Sequence, residues 1–156
     1  MHIRRAQMAM STDDDLIKYQ PDILTYGIDE FTDEHTKARE DILRRLRNEW
    51  WGRAKSYNQF NGNSRYAELE DDKLTESQFT RCAVYRVLSE YALPQLTKWN
   101  ATGDEDKFQV MMNYYHKKYN EEFNDILMDG VEYDYDDDGV IQDDERDSID
   151  SQRLYR

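Results

Sequence analysis

The sequence predicts a mainly α protein, a small helical bundle of about four helices with a long loop and an acidic C-terminal loop or hairpin tail. Apolar residues recur at helical spacing in several stretches, and helix-starting residues precede these stretches. The length of 156 residues fits one domain with tails. Hydrophobic residues make up 38% of the chain and charged residues 35%, so the core must rely on aromatic side chains, namely twelve Tyr, five Phe and three Trp.

The first helix is expected to begin at the TDDD run, with Ser11 or Thr12 as its cap and acidic residues at the positive end of the helix dipole. Pro21 limits this helix to about two turns. The second helix is expected to begin with Thr32 as its N-cap. Its apolar stripe consists of Ala38, Ile42, Leu46 and Trp50. Four arginines lie mostly off this stripe, and they either meet an acidic partner or pair with nearby carboxylates: Arg39, Arg44, Arg45 and Arg47.

A polar loop of about twenty residues is expected to separate the second and third helices, because Gly, Asn and Ser break the periodicity in SYNQFNGNSRY. A loop of this length in a compact domain is usually functional or disordered. Tyr57, Phe60 and Tyr66 make the loop adhesive, so we interpret it as a docking segment.

The third helix is predicted to start at a capping box in which the side chains of Thr75 and Gln78 each bond the backbone of the other residue. Pro94 is expected to kink or end this helix. Cys82 lies on its apolar face and is interpreted as a small buried hydrophobe. Because it is the one cysteine in the chain, it excludes an internal disulfide and fits a reducing compartment.

The fourth helix is expected to run from Asp104 to a C-terminal stop at Gly130. Its long apolar side is rich in aromatic residues and comprises Phe108, Met111, Met112, Tyr115, Tyr119, Phe123, Ile126 and Leu127. Tyrosine in such numbers is typical of surfaces that a partner covers, because its ring buries apolar area while its hydroxyl tolerates water. The alternative is half-buried tyrosines on an amphipathic helix.

The sharpest chemical signal is the acidic stretch DYDDDGVIQDDE at residues 134–145, which matches the spacing of an EF-hand calcium loop. Calcium takes about six to eight oxygen ligands, and this spacing supplies them from one short segment. Gly139 permits the sharp turn at the sixth position, and Ile141 is expected to face inward. The predicted ligands are the side chains of Asp134, Asp136, Asp138, Gln142 and Glu145 and the main-chain carbonyl of Val140. The alternative is a solvated acidic turn or tail.

Residues 129–150 contain eleven Asp or Glu and one Arg, which contributes minus ten to the chain's formal net charge of minus thirteen. This balance argues against a protein that grips nucleic acid by its phosphates, because such binding requires clustered Lys and Arg. The chain carries no recognisable catalytic motif, and His2, His35 and His116 each stand alone without metal-ligand spacing. We therefore predict a protein that is not an enzyme.

Three regions are predicted along the chain: a disordered leader at residues 1–11, a helical bundle at 12–130 and an acidic extension with an EF-hand-like loop at 131–156. The leader has no apolar stretch that would predict a signal peptide or a membrane span. Residues 130–133 separate the fourth helix from the acidic loop, which departs from an ordinary EF-hand. We therefore expect a lone calcium loop, or a hairpin turn bracketed by residues 131–133 and 140–141, rather than a paired-helix sensor.

In their order along the chain, several segments resemble the small, mostly helical head-to-tail connector, or adaptor, proteins of tailed bacteriophages, which sit beneath the portal ring. These segments are STDDDLIKYQPDI, TKAREDILRRLRNEWW, QFTRCAVYRVLSEYA, NYYHKKYNEEF and YDYDDDGVIQDDE, with SQRLYR at the end. Together they span residues 11–156.

The resemblance implies a structural virion protein that assembles on the portal protein as a ring of about twelve copies and contacts other neck and tail proteins. DNA would pass through the ring's channel without specific binding, because carboxylates repel its phosphates. The implied location is the neck of the virion, assembled in the host cytoplasm without membrane contact. No catalytic residues are implied.

Two other functions fit the same residues. The first is a small EF-hand-like calcium-binding module, unrelated to virions, that senses or buffers the ion. The second is an acidic inhibitor or nucleic-acid mimic, which would bind a basic protein tightly and lose that affinity with salt.

Overall fold

The computed structural model describes residues 9–51, 69–97, 107–134, 139–141 and 146–147. The predicted mainly α class is confirmed, with the helices α1 (Asp13–Tyr19), α2 (Thr32–Leu46), α3 (Thr80–Arg86), α4 (Leu93–Leu96) and α5 (Lys107–Asp129). Two π-helical segments, Arg47–Trp51 and Val87–Ala92, extend α2 and join α3 to α4. Short 3-10 turns occupy Ile23–Thr25, Asp71–Lys73 and Glu76–Phe79. Two short strands follow α5, namely β1 (Val131–Glu132) and β2 (Arg146–Asp147).

Local signals set the limits of α1 and α5. Thr12 caps α1 through a capping box: its Oγ1 accepts the Asp15 N–H at 3.4 Å, and its own N–H donates to Asp15 Oδ2 at 3.0 Å. α1 ends before Pro21, as predicted. Gly130 follows the last residue of α5 with a φ of 103°, a left-handed conformation that favours glycine. Its N–H donates to the Ile126 carbonyl at 3.0 Å, so the predicted stop is confirmed.

Pro94 does not end the third helical run, because α4 continues to Leu96. Proline lacks a backbone donor, and its ring crowds the carbonyl four residues earlier in a helix. The π-helical segment Val87–Ala92 lies directly before α4, where a wider turn reduces that crowding. The proline is therefore accommodated by an irregular turn on its N-terminal side.

By their contacts, the residues divide into two compact units, 1–40 with 80–122 and 41–79 with 123–156. α2 and α5 each contribute residues to both units. The leader, bundle and extension boundaries stay predictions, and the docking loop around Tyr57, Phe60 and Tyr66 lies outside the described residues, as do His2 and Asp104.

The core of the first unit joins α1, the start of α2, the run from α3 to α4, and the first half of α5. Its buried members are Leu16, Ile23, Phe31, Ala38, Val84, Val87, Leu88, Ala92, Leu93 and Tyr115. Phe108, Met111 and Met112 of α5 are partly buried and pack against it. Cys82 is fully buried, which confirms its predicted role as a small hydrophobe.

A buried polar network also ties the N-terminal end of α1 to α2 in the first unit. Ser11 Oγ lies 2.6 Å from His35 Nδ1, and His35 Nε2 lies 3.0 Å from Asp13 Oδ1. The Asp13 carboxylate also accepts the Phe31 N–H at 3.2 Å. The interpretation of His35 as an isolated residue is therefore wrong. Met10 and Ser11 are also buried, at 4% and 2% exposed.

Tyrosines form a second contact cluster in the first unit. The rings of Tyr19 and Tyr85 meet edge to face with centroids 5.5 Å apart, and those of Tyr85 and Tyr115 stack at 5.9 Å. Burial raises the pKa of Tyr85 and of Tyr115 above the ordinary value, because both lose water from around the hydroxyl. Arg81 Nε donates to Tyr19 Oη at 3.2 Å, and this hydrogen bond raises the pKa of the guanidinium. These tyrosines are partly or largely buried packing residues.

The second unit takes its apolar residues from the end of α2, the turns before α3, the end of α5, and β1. The buried side chains are Ile42, Leu43, Leu46, Trp50, Trp51, Leu74, Phe79, Phe123, Ile126, Leu127, Val131 and Tyr133. Ile42, Leu46 and Trp50 are fully buried, which confirms the stripe predicted for the second helix. In addition, the guanidinium of Arg45 lies 4.1 Å from the centroid of the Phe123 ring, a cation–π distance.

Candidate functional site

The acidic loop is closed by a short antiparallel stem. β1 pairs with β2 so that Val131 lies opposite Asp147 and Glu132 lies opposite Arg146. Opposed residues in such a ladder have Cα atoms about 4.5–5.5 Å apart, so both ends of the segment 133–145 are held together. The predicted hairpin bracket is thus half wrong: residues 131–132 do form its first strand, but their partners are 146–147 and not 140–141.

The stem is joined along its other edge to the segment before α3. Leu74 and Tyr133 form an antiparallel bridge. The Asp134 N–H donates to the Lys73 carbonyl at 3.0 Å, and the Thr75 N–H donates to the Glu132 carbonyl at 3.5 Å. The chain is therefore held by main-chain hydrogen bonds up to the first residue of the acidic loop.

Gln78 adds a side-chain contact that imitates a peptide group. Its Nε2 donates to the Gly130 carbonyl at 2.8 Å, and its Oε1 accepts the Glu132 N–H at 3.0 Å. The predicted capping box between Thr75 and Gln78 is therefore wrong. The Gln78 amide bonds Gly130 and Glu132 instead of the Thr75 N–H, and that N–H donates to the Glu132 carbonyl. The amide offers one donor and one acceptor side by side, which matches the extended main chain at 130–132.

An aromatic cluster supports the stem from within the second unit. The ring of Tyr133 lies 5.0 Å from Trp51 and 5.9 Å from Trp50, measured between centroids. Tyr133 Oη accepts the Glu70 N–H at 3.1 Å. Trp50 is fully buried, and its indole N–H has no acceptor among the residues that the structure describes. The residue before the acidic loop is thus anchored by packing as well as by hydrogen bonds.

Two of the six predicted calcium ligands lie in the described residues. Asp134 is 8% exposed, and its Oδ2 accepts the Gly139 N–H at 2.8 Å, so its carboxylate is turned toward the sixth position of the loop. Gly139 has a φ of 80°, the conformation that the sharp turn requires. Val140 exposes 60% of its surface, and Ile141, which is expected to face inward, is half-buried. The other predicted ligands, Asp136, Asp138, Gln142 and Glu145, lie outside the described residues.

The donor set is suited to a hard cation. Carboxylate, amide and main-chain oxygens are the ligands that calcium prefers, and the hydrogen bond from Gly139 to Asp134 draws the first and sixth positions together. Within the described ranges, no three His, Cys, Asp or Glu side chains form a metal-binding group. A calcium site here therefore depends on the remaining carboxylates of the loop.

The surroundings of the loop differ from a helix–loop–helix sensor. α5 ends at Asp129, and residues 130–133 follow it before the loop begins. On the far side, residues 146–147 form a strand that returns to β1. A sensor EF-hand couples the ion to the angle between two helices, whereas this loop is coupled to a β stem.

A second constellation, Ser11–His35–Asp13, has the residue types of a hydrolase triad. The Ser11 hydroxyl contacts Nδ1 of His35, and the Asp13 carboxylate contacts Nε2. Ser11 is 2% exposed and His35 is 3% exposed, so the hydroxyl is out of reach of a substrate in this structure. We therefore interpret the network as a structural tie. Ser11 and Asp13 are 24 and 22 residues away from His35 in the chain, so no local sequence pattern predicts these contacts.

No protein-family model, curated protein or solved structure matches this chain. Within the described part of the chain, no helix is both long and apolar enough to cross a lipid bilayer.

Proposed function

We propose that the chain is a non-enzymatic structural subunit of a tailed bacteriophage, a head-to-tail connector that joins the portal to the tail and extends the DNA channel. The observation that carries the proposal is the acidic loop at residues 134–145, which is held at both ends by the β1–β2 stem. The segments that resemble connector proteins include α1, much of α2, α3 and the middle of α5. A helical body with a firmly attached acidic loop is suited to assembly rather than to chemistry.

The charge of the loop has a physical role in this proposal. Residues 129–150 contribute minus ten, and carboxylates at a channel wall repel the phosphates of passing DNA. DNA then slides through the neck of the virion without adhering to it.

Calcium acts in this proposal as a structural staple of the loop. The ion would be held by Asp134, Asp136, Asp138, Gln142, Glu145 and the carbonyl of Val140. Bound calcium neutralises carboxylates that otherwise repel one another at close range. The bond between Asp134 and Gly139 also favours the second candidate, a calcium-binding module unrelated to virions, because it is local to the loop and independent of assembly.

The connector function predicts binding to a portal ring. The mass of the chain should be measured in solution alone and after mixing with purified portal, and we expect the portal ring to gain subunits of this chain up to about twelve copies. The calcium-module candidate instead predicts no added mass, together with a change in helical content or exposed apolar surface on calcium addition. A chain that stays a monomer in both conditions contradicts the connector function.

Calcium binding is predicted to depend on the twelfth position of the loop. Glu145→Ala should weaken calcium binding in calorimetry at least about tenfold, because it removes the bidentate ligand. The matched control is Asp72→Ala, which deletes one exposed carboxylate outside the loop. In the parent chain, calcium at 100 times its Kd should raise the free energy of unfolding by about 2.7 kcal/mol. Equal binding heats for Glu145→Ala and the parent would remove this residue from the site.

A further inference from the structure

One face of α5 exposes apolar and cationic side chains together. Val110 and Tyr114 are each 55% exposed, although both are large and apolar. Lys117 and Lys118 follow at seven and eight positions from Val110, so all four lie on one side of the helix. We name these four residues the cationic strip. Between residues 107 and 120 the helix carries three lysines and no Asp or Glu. Glu121 in the next turn forms surface ion pairs with Lys117 at 3.9 Å and with Lys118 at 3.6 Å. Such exposed pairs contribute only about 0–1 kcal/mol, so a partner's carboxylates can replace Glu121 at these lysines.

The ring of Tyr114 is held in place by two neighbours on α5 before any partner binds. Its ring meets the ring of Tyr115 edge to face with centroids 5.1 Å apart, and Tyr115 is 7% exposed. On the other side, Lys118 Nζ lies 5.6 Å from the Tyr114 centroid. A ring that is already held loses little conformational entropy on binding, and tyrosine is enriched among residues that dominate interface energies.

Exposed carboxylates of the same unit gather where α1 meets the start of α2. The hydrogen bond from the Phe31 N–H to Asp13 brings the first turn of α1 beside the residues before α2. Four exposed acids lie in these two segments, and we name them the acidic patch: Asp14, Asp29, Glu30 and Asp33. None of the four makes an ion pair within the described part of the chain.

Charge decides which partner the strip accepts. Two copies of a chain with a net charge of minus thirteen repel one another unless the contact uses a positive surface on one side. A strip-to-strip contact would place lysines against lysines, whereas the acidic patch offers unpaired carboxylates. Strip and patch are different surfaces, so the contact between copies is head-to-tail, which is the type that closes into rings or extends into filaments.

We propose that neighbouring copies of this chain associate by placing the cationic strip of one copy on the acidic patch of the next. Tyr114 supplies the apolar anchor at the contact, and Lys117 and Lys118 supply the charge. This inference rests on the proposed assembly function, for which it names the self-association surfaces.

The test uses two charge reversals and their mixture. Lys117→Glu with Lys118→Glu makes the strip acidic, and Asp29→Lys with Glu30→Lys makes the patch basic. By sedimentation equilibrium at low ionic strength, we expect the parent chain to self-associate and each variant alone to associate at least about tenfold more weakly. An equimolar mixture should recover association, because alternating copies then have opposite charges at every contact. Tyr114→Ala should also weaken the parent's association about tenfold without changing any charge.

A control variant separates the surface from the total charge. Arg44→Glu with Arg47→Glu changes the net charge by the same amount as the strip variant, at two exposed arginines of the other unit, and should associate like the parent. An equal loss in this control would overturn the inference, since net charge would then be the cause.

The remaining outcomes distinguish this inference from the connector function. If the parent self-associates and both reversed variants do so equally well, assembly stands but these surfaces are wrong. If the mixture does not recover association, the inference is also wrong. If the parent is monomeric at every concentration and yet binds a portal ring, the connector function stands while the strip-to-patch contact is rejected.

Discussion

Trp50→Ala is expected to lower the free energy of unfolding by about 3–5 kcal/mol, the largest stability effect of any single substitution proposed for this chain. Trp50 is fully buried, and its ring lies 5.7 Å from Trp51 and 5.9 Å from Tyr133 between centroids. Truncation removes the apolar area of the indole and leaves a cavity behind the stem of the acidic loop. The measurement is urea unfolding followed by circular dichroism.

Trp50→Phe is the matched control. It keeps an aromatic ring in the cluster and removes the indole N–H, which has no acceptor among the described residues. Removing a buried donor without a partner offsets part of the packing loss, so we expect a decrease below about 1.5 kcal/mol. Equal losses for Trp50→Ala and Trp50→Phe would show that the N–H, rather than the packing of the ring, matters at this position.

His35→Ala is expected to lower the free energy of unfolding by about 2–4 kcal/mol. The imidazole lies between Ser11 Oγ at 2.6 Å and Asp13 Oδ1 at 3.0 Å. Its removal leaves the buried serine hydroxyl without this partner and opens a small cavity. The control is Asp14→Ala, at an exposed position beside Asp13 in the first turn of α1, which should change stability by no more than about 0.5 kcal/mol.

The double variant Ser11→Ala with His35→Ala tests whether these two residues act as a pair. We expect it to be less destabilised than the sum of the single variants, because the second substitution removes the hydroxyl that the first left unsatisfied. The same unfolding experiment gives all four free energies of the cycle. Strict additivity would mean that the 2.6 Å contact contributes nothing to stability.

Much of the helical architecture could be predicted because its causes lie within a few residues in the chain. The capping box at Thr12 and the glycine stop at Gly130 act over a single turn. The stripe through Ile42, Leu46 and Trp50 follows from helical periodicity, and all three residues are fully buried.

The predictions of the capping box and of the hairpin register were wrong because residues distant in the chain provide better partners than the local ones. Gln78 matched a capping box, but the extended chain at 130–132 offers its amide both a donor and an acceptor. Similarly, the two predicted alternatives are a lone calcium loop and a hairpin bracketed by residues 140–141, whereas the hairpin in the structure pairs through 146–147. A strand register depends on which side chains the rest of the molecule can bury, and no short window of sequence contains that information.

For the candidate site, the spacing of the carboxylates and the need for glycine at residue 139 could be predicted, because both are properties of one short segment. The φ of 80° at Gly139 and its bond to Asp134 agree with that spacing. The attachment of the loop by a β stem, by Gln78 and by the aromatic cluster around Tyr133 could not be predicted from that segment. The contacts of Gln78 and of the aromatic cluster join residues 52 to 83 positions apart, and chain neighbours cannot specify them because they form only when separate elements pack together.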